Sequence, residues 1–297
     1  MSYIDGEIES QPACWRQAAS LAATNTTAAA LPAVGERVAV IGCGTSFYMA
    51  QSCAALRESA GQGETDAFAA SEFPAGRKYD QVVAITRSGT TTEVLRLLEG
   101  LNSGQRSTVL TTDDKNPAAD RAGSTIVLDF ADERSVVQTR FATTALALWR
   151  AHLGDDLSAA IRDAEAGLSR ELPGEFARRE QFTFLGTGWT VGLANEAALK
   201  VREASQSWAE AYPAMEFRHG PITVIDDRSL VWIFGASPVG LVEDMAGTGG
   251  LVVQSHTDPL ANLIQAQRLA VALAERKGLD PDAPRNLTRS IVLPAGV

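Results

Sequence analysis

A short apolar run that closes on a glycine- or hydroxyl-rich loop and hands over to a helix recurs along this chain. That recurrence constrains the fold more than any other feature. Arg37–Gly42 (RVAVIG) closes on Gly42-Cys43-Gly44-Thr45-Ser46, and a helical stretch follows from Phe47 to Ser59. Gln81–Thr86 (QVVAIT) leads through Arg87-Ser88-Gly89-Thr90-Thr91-Thr92 to a helix over Glu93–Leu101. Ser107–Thr112 (STVLTT) leads to Asp113-Asp114 and a short helix near Pro117–Arg121. Ser124–Phe130 (STIVLDF) leads to Glu133 and a long apolar helix over Val136–Leu153. Nearly all-apolar strands alternating with helices predict a parallel sheet covered on both faces.

The pattern then repeats in the same order. Gln181–Leu185 is followed by Gly186-Thr187-Gly188 and a helix, Leu230–Phe234 by Gly235-Ala236-Ser237, and Gly250–Gln254 by Ser255–Asp258 and a helix. From Gly42 to Gly186 is about half the chain, close to one domain. The fold class expected is α/β, with two tandem copies of one parallel-sheet αβα sandwich of the flavodoxin-like, doubly wound type. The boundaries expected are a helical lead-in over 1–30, a first domain over 31–153, a charged helical linker over 154–180, and a second domain over 181–297.

The 297 residues include 45% hydrophobic and 21% charged side chains, an ordinary globular balance with apolar surface for sizeable cores. A net charge of -10 argues against generic nucleic-acid binding and a polybasic membrane anchor, while leaving room for a small anion held by local dipoles. Cys14, Cys43 and Cys53 form neither a disulfide framework nor a zinc-ligand set, which fits a reducing, cytoplasmic compartment. The opening MSYIDGEIES has no basic segment ahead of an apolar run, so no signal peptide is expected. No apolar stretch reaches the length of a membrane span, and no metal-ligand spacing or cofactor motif is evident.

In an open parallel sheet, ligands bind beyond the carboxyl ends of the strands. Three first-copy loops at that edge are rich in hydroxyls: Thr45-Ser46, then Thr86, Ser88, Thr90, Thr91 and Thr92, then Thr111-Thr112. Helix N-termini receive phosphate through unpaired N–H groups, and hydroxyls add donors without adding charge. In a single loop such residues read as helix caps. Several loops on one sheet edge favour a phosphate ester. Gly42-Cys43-Gly44 is not a full dinucleotide fingerprint, so nucleotide binding is weakly supported.

The second copy is poorer in hydroxyls, but its first helix carries Glu196, Lys200 and Glu203 on one face. Such spacing commonly makes a surface ion-pair ladder. Here the helix is otherwise apolar and follows a glycine-rich turn at the ligand edge. Downstream, Gly220-Pro221 directly after His219 makes a rigid turn that presents the ring. A lone histidine is more often structural than catalytic.

These residues resemble the sugar isomerase (SIS) domain proteins, in particular the isomerase half of glucosamine-6-phosphate synthase and stand-alone glucosamine-6-phosphate deaminases and phosphosugar isomerases. The resemblance rests on Gly42–Ser46, Arg87–Thr91, Glu133–Thr144 (ERSVVQTRFATT), Glu196–Glu203, Ala209–Pro221 (AEAYPAMEFRHGP) and Ala283–Ser290 (APRNLTRS), with Glu7–Pro12 similar to the family's lead-in. It implies a sugar phosphate held around Cys43, Gly44, Thr45, Ser46, Thr86, Arg87, Ser88, Gly89, Thr91, Val136, Gln138 and Arg289. It implies Glu203 as the catalytic base and His219 as the ring-opening residue, reaching the site from the neighbouring subunit of a homodimer. Glu196 and Lys200 fall at further positions of the family's active site.

Two departures bear on the reaction. The family lysine able to form a Schiff base near the C-terminus is Arg289 here, which stays protonated and cannot do that chemistry. The family serine after Val136-Val137 is Gln138. With no nucleophilic cysteine of an amidotransferase at the start of this sequence, glutamine-fed amination is not expected. The expectation is a phosphosugar isomerase or amino-sugar-phosphate deaminase working by proton transfer at C1 and C2 of a hexose 6-phosphate. The alternative is a non-catalytic phosphosugar sensor.

Overall fold

The computed structural model describes residues 2–102 and 104–294. The protein is α/β, and its strands pair in parallel throughout the described residues. It divides into two compact units. One comprises Ala13–Glu133, Gln138–Leu157 and Thr288–Val297 and carries a five-stranded sheet. The other comprises Met1–Pro12, Arg134–Val137 and Ser158–Leu287 and carries a four-stranded sheet. Three lead-in helices open the chain: α1 (Tyr3–Glu9), α2 (Gln11–Ala22) and α3 (Asn25–Ala30). The first turn of α1 is capped from far along the sequence, because Tyr3 and Ile4 donate their N–H groups to the Asp282 carboxylate at 2.7 and 2.8 Å.

The five-stranded unit runs β1 (Val38–Gly42), α4 (Thr45–Ser59), β2 (Thr65–Ala69), β3 (Gln81–Ile85), α5 (Thr92–Glu99), β4 (Arg106–Thr111), β5 (Ser124–Val127) and α6 (Arg140–His152). Its strand order is β2-β1-β3-β4-β5. Strands β1 and β3 are buried along their whole length, as parallel strands covered on both faces must be. The chain reverses direction across the sheet between β1 and β3, so the loops after these strands flank the switch point where such sheets take ligands. Strand β2 went unread because TDAFA mixes polar and apolar residues at a half-buried sheet edge. Helix α6 begins at Arg140, not at Val136. The cause is Glu133, whose carboxylate accepts from the backbone N–H groups of Thr139 and Arg140 and so sets the first turn.

The four-stranded unit runs α7 (Ser158–Leu168), β6 (Gln181–Gly186), α8 (Thr190–Ser205), β7 (Ala209–Pro213), β8 (Ser229–Phe234), α9 (Leu241–Met245), β9 (Leu251–Gln254) and α10 (Pro259–Arg276). Its order is β7-β6-β8-β9. Strand β8 is buried throughout, whereas the unread β7 is a half-buried edge strand. Helix α7 buries Ala160, Ile161 and Ala164 and packs against α10.

Both sheets use the same device to bring a helix close to a strand end. A Cβ on Gly42 would stand 2.5 Å from the backbone of Ser46, and one on Gly186 would stand 2.3 Å from that of Thr190. Only glycine permits either approach. Among the described residues no helix is long and apolar enough to cross a membrane.

Candidate active site

In the five-stranded unit, the loops after β1 and β3 meet the C-terminal tail around a small polar pocket. Cys43, Ser46, Thr86, Arg87, Ser88, Thr91, Gln138 and Arg289 line it together. Gly44 is the N-cap of α4 with φ +54°, a conformation suited to glycine, and Thr45 opens the helix. The Arg87–Thr91 loop is held from below by Asn116. Its carboxamide oxygen accepts from the N–H groups of Ala118 and Ala119 at 3.0 Å, and its nitrogen donates to Thr111 Oγ1 at 3.0 Å. Gly89, at φ +64°, is where Asn116 fits, since a Cβ there would lie 1.8 Å from Asn116 Oδ1.

The hydroxyl ring is continuous with the tail. Thr90 Oγ1 lies 3.0 Å from both Ser88 Oγ and Ser290 Oγ, donating to one and able to accept from the other, and Thr91 Oγ1 lies 3.3 Å from Ser290 Oγ. The tail is stitched down by Thr92 N–H to Ile291 O at 3.1 Å and by Leu293 N–H to Thr92 Oγ1 at 2.8 Å. These hydroxyls are small neutral donors clustered at a helix N-terminus, a constellation suited to a phosphoryl group.

The two cations of the pocket are not equivalent to free phosphate binders. Arg87 is buried and its Nη1 lies 3.3 Å from Oε2 of the equally buried Glu133, while its Nη2 donates to Arg289 O at 3.3 Å. Its charge is therefore matched inside the protein. Arg289 donates to the Glu133 carbonyl and pairs with Asp132. Gln138 brings a buried carboxamide oxygen that finds no donor among the described residues, so it can accept from a ligand hydroxyl. Val136 falls in the other unit, where its N–H donates to Asp282 O at 3.0 Å.

Burial pushes the Cys43 thiol up to about 11, with the Glu93 carboxylate adding to the rise. The thiol is neutral at pH 7 and presents no anion to compete with a phosphate. A raised value favours the protonated form, so its contribution to stability is complete below the ordinary value of 9.0 and falls away as pH rises towards about 11. Alkylation of Cys43 by iodoacetamide at pH 8, followed by peptide mass spectrometry, is expected to run about a hundredfold slower than that of free cysteine. Reaction at the free-cysteine rate would show that the thiol is not shielded.

In the four-stranded unit, α8 carries a carboxylate–lysine–carboxylate array. Glu196 and Lys200 are almost wholly buried, with Lys200 Nζ 3.5 Å from Glu196 Oε1 and in an ion pair with Glu203, whose side chain keeps 19% exposure. A surface ladder would be solvated along its length, and this array is not. Burying charges is unfavourable unless partners compensate, so the arrangement is not explained by stability alone. Glu203 is the member open to solvent and thus able to meet a substrate. His219 ends a 3₁₀ turn (Glu216–His219) beside Gly220 at φ +147° and is exposed. Among the described residues it makes no hydrogen bond to Glu203, Lys200 or Glu196.

Sequence reasoning did not assign Asn116, Glu133 or Ser290 to the site. Glu133 lay inside a quoted motif, and its burial beside an arginine was not visible in its spacing. Among the described residues, no group of three or more His, Cys, Asp or Glu side chains could hold a metal ion.

The chain and its fold have counterparts among known proteins. No family model matches the chain. The isomerizing glutamine–fructose-6-phosphate aminotransferase of Caulobacter vibrioides is 29% identical over 98% of this chain and 59% of its own length. That of Sulfurisphaera tokodaii is 28% identical over 87% and 50%. The chain thus spans about half the length of the curated relatives it matches. The crystal structure of a glucosamine-6-phosphate deaminase from Thermotoga maritima superimposes with a TM-score of 0.81 at 22% identity, covering 98% of this chain and all of that one. The C-terminal domain of the Francisella tularensis glucosamine–fructose-6-phosphate aminotransferase gives 0.78 at 20% identity, covering 96% and 98%. The resemblance to sugar isomerase domain proteins, read from six motifs, is borne out along nearly the whole chain.

Proposed function

We propose that this protein is a phosphosugar isomerase or amino-sugar-phosphate deaminase acting on a hexose 6-phosphate type of substrate. The observation that carries the reading is the buried Glu196–Lys200–Glu203 array, with its one solvent-facing carboxylate, in a chain that also holds a hydroxyl-lined pocket at a sheet switch point. Ser46, Thr86, Ser88 and Thr91 take the phosphate. Glu203 moves the proton between C1 and C2, Lys200 offsets the charge of the enediolate or its amino counterpart, and Glu196 holds Lys200. His219 opens the sugar ring as a general acid–base. Arg289 neutralises or positions substrate and forms no Schiff base. The shared 2-1-3-4 strand order and the paired glycine contacts at Gly42 and Gly186 support two tandem sugar isomerase domains. The bounds expected for them, 31–153 and 181–297 joined by 154–180, need adjusting, because 158–180 groups with the four-stranded unit and 288–297 with the five-stranded one.

The test is NMR in heavy water with a panel of hexose 6-phosphates and glucosamine 6-phosphate. Exchange at C2, or release of ammonia, supports the enzyme. Saturable binding with neither would establish a sensor instead. Ser88→Ala is expected to weaken phosphosugar binding by about 1–3 kcal/mol, read by calorimetry. Unchanged affinity would remove Ser88 from the site.

The assembly expected is a homodimer in which His219 serves the neighbouring subunit. Its exposure, with no hydrogen bond to the α8 array of its own chain, supports that arrangement. Mixing inactive Glu203→Gln and His219→Ala subunits is expected to restore part of the activity in heterodimers. No restoration after confirmed subunit exchange would mean that each site is built from one chain.

A further inference from the structure

The four-stranded unit contains a cavity of about 310 Å³ formed by the end of α7, the segment after it, β8, β9 and the first turns of α10. That is within the size range of small-molecule sites. Three of its lining side chains are Trp232, Asn262 and Gln265. Trp232 and Asn262 are 2% and 4% exposed. Their nitrogens Trp232 Nε1 and Asn262 Nδ2, with Gln265 Nε2, are buried N–H donors that find no acceptor among the described residues. Buried polar groups are nearly always satisfied, so three such donors around one cavity call for an acceptor-bearing occupant.

The donors are held in place. Gln265 Oε1 accepts from Arg268 Nη1 at 2.9 Å, and that same nitrogen donates to the carbonyls of Gly167 and Arg170 at 3.0 and 2.8 Å. With its oxygen engaged, the amide is oriented and its NH₂ is the end left over. A Cβ on Gly167 would stand 2.6 Å from Gln265 Nε2, so glycine makes room for that amide. The indole of Trp232 packs edge-on to Phe176, with ring centroids 5.6 Å apart, and stacks with Phe234. It presents a rigid aromatic wall.

We propose that this cavity is a binding site for an uncharged, polyhydroxylated ligand of monosaccharide size, separate from the phosphate pocket. The indole and amide donors are neutral and would meet hydroxyl or ring oxygens. Ser255 and Thr257, whose hydroxyls lie 2.7 Å apart, and the Asp163 carboxylate supply acceptors for the ligand's own hydroxyls. The aromatic wall suits the apolar C–H face of a sugar ring. A phosphorylated ligand fits worse, because the Asp163 carboxylate stands in the wall and the lining arginine, Arg170, is exposed.

Saturation-transfer difference NMR on the full chain tests this with D-glucose and N-acetyl-D-glucosamine as probes. The expected result is a saturable signal from at least one of them. Removing one donor, by Trp232→Phe or Gln265→Leu, is expected to weaken it about three- to tenfold, with Ser88→Ala leaving it unchanged. Trp232→Phe keeps an aromatic ring in the wall, so it carries the test if Gln265→Leu does not fold. No saturable signal from either sugar would overturn the proposal, because the cavity would then hold solvent only. So would a signal that both cavity variants leave intact, or one that Ser88→Ala abolishes. Glucose 6-phosphate titrated into Ser88→Ala serves as the control, so that failure of the isomerase reading is seen separately.

Discussion

Replacing Glu203 by glutamine is expected to slow C2 proton exchange in a hexose 6-phosphate by about 10²–10⁴-fold, the usual loss when a positioned general base is removed. Glutamine keeps the shape of the side chain and its ability to bond Lys200 Nζ, but it cannot take a proton. Lys200 retains Glu196 at 3.5 Å, so the buried ammonium keeps a carboxylate partner and the helix should stay folded. Phosphosugar affinity is expected to persist in calorimetry, because the hydroxyls proposed to take the phosphate, Ser46, Thr86, Ser88 and Thr91, are unchanged in this variant. Together, lost exchange and retained binding separate a catalytic role from a structural one. Exchange at the wild-type rate would remove Glu203 as the base. Its array partner Glu196 is almost wholly buried, which makes it the poorer proton acceptor for a substrate. Arg289→Lys is the complementary variant, since it reintroduces a side chain able to form a Schiff base. Its present partners, the Glu133 carbonyl and the Asp132 carboxylate, are both acceptors that a lysine can meet.

Much of this site was legible in the sequence because parallel α/β sheets write their geometry locally. An apolar run, a glycine and a hydroxyl mark a strand end, and the order of such marks places Ser46, Ser88 and Thr91 on one edge. Ser46, Thr86, Ser88 and Thr91 do line one pocket together. Local marks fail where a strand is half-buried and mixed in character, as in TDAFA and AEAYP, because edge pairing is settled by a neighbour and not by periodicity. They fail again for charge. Spacing alone made Glu196, Lys200 and Glu203 a helical face, but whether that face meets water or core depends on packing. Arg87 illustrates the same gap, since the family resemblance implied a place for it at the sugar phosphate and a carboxylate far along the sequence pairs with it.

That carboxylate supplies the second large effect. Glu133→Ala is expected to destabilise the protein by about 3–5 kcal/mol, the range found when one member of a buried ion pair is removed and the other is left without compensation. Glu133 does two jobs. Its Oε2 faces Arg87 Nη1, while Oε1 accepts from Thr139 Oγ1 at 2.9 Å and from the first N–H groups of α6. Glu133→Gln separates them, because a carboxamide oxygen can still cap α6 but the group carries no charge against the Arg87 guanidinium. Glutamine is therefore expected to fall between wild type and alanine in denaturant midpoint. Arg87→Met removes the other charge at similar volume. Combined with Glu133→Gln, it is expected to recover much of the loss, because neither charge of the buried pair then remains. If the double variant is as unstable as the sum of the two single ones, the two charges are not coupled. Because Arg87 also donates to the Arg289 carbonyl, breaking the pair is expected to loosen the tail that carries Ser290. Hydrogen exchange at Leu293, whose N–H donates to Thr92 Oγ1, reads that consequence directly and should rise in Glu133→Gln before global unfolding does.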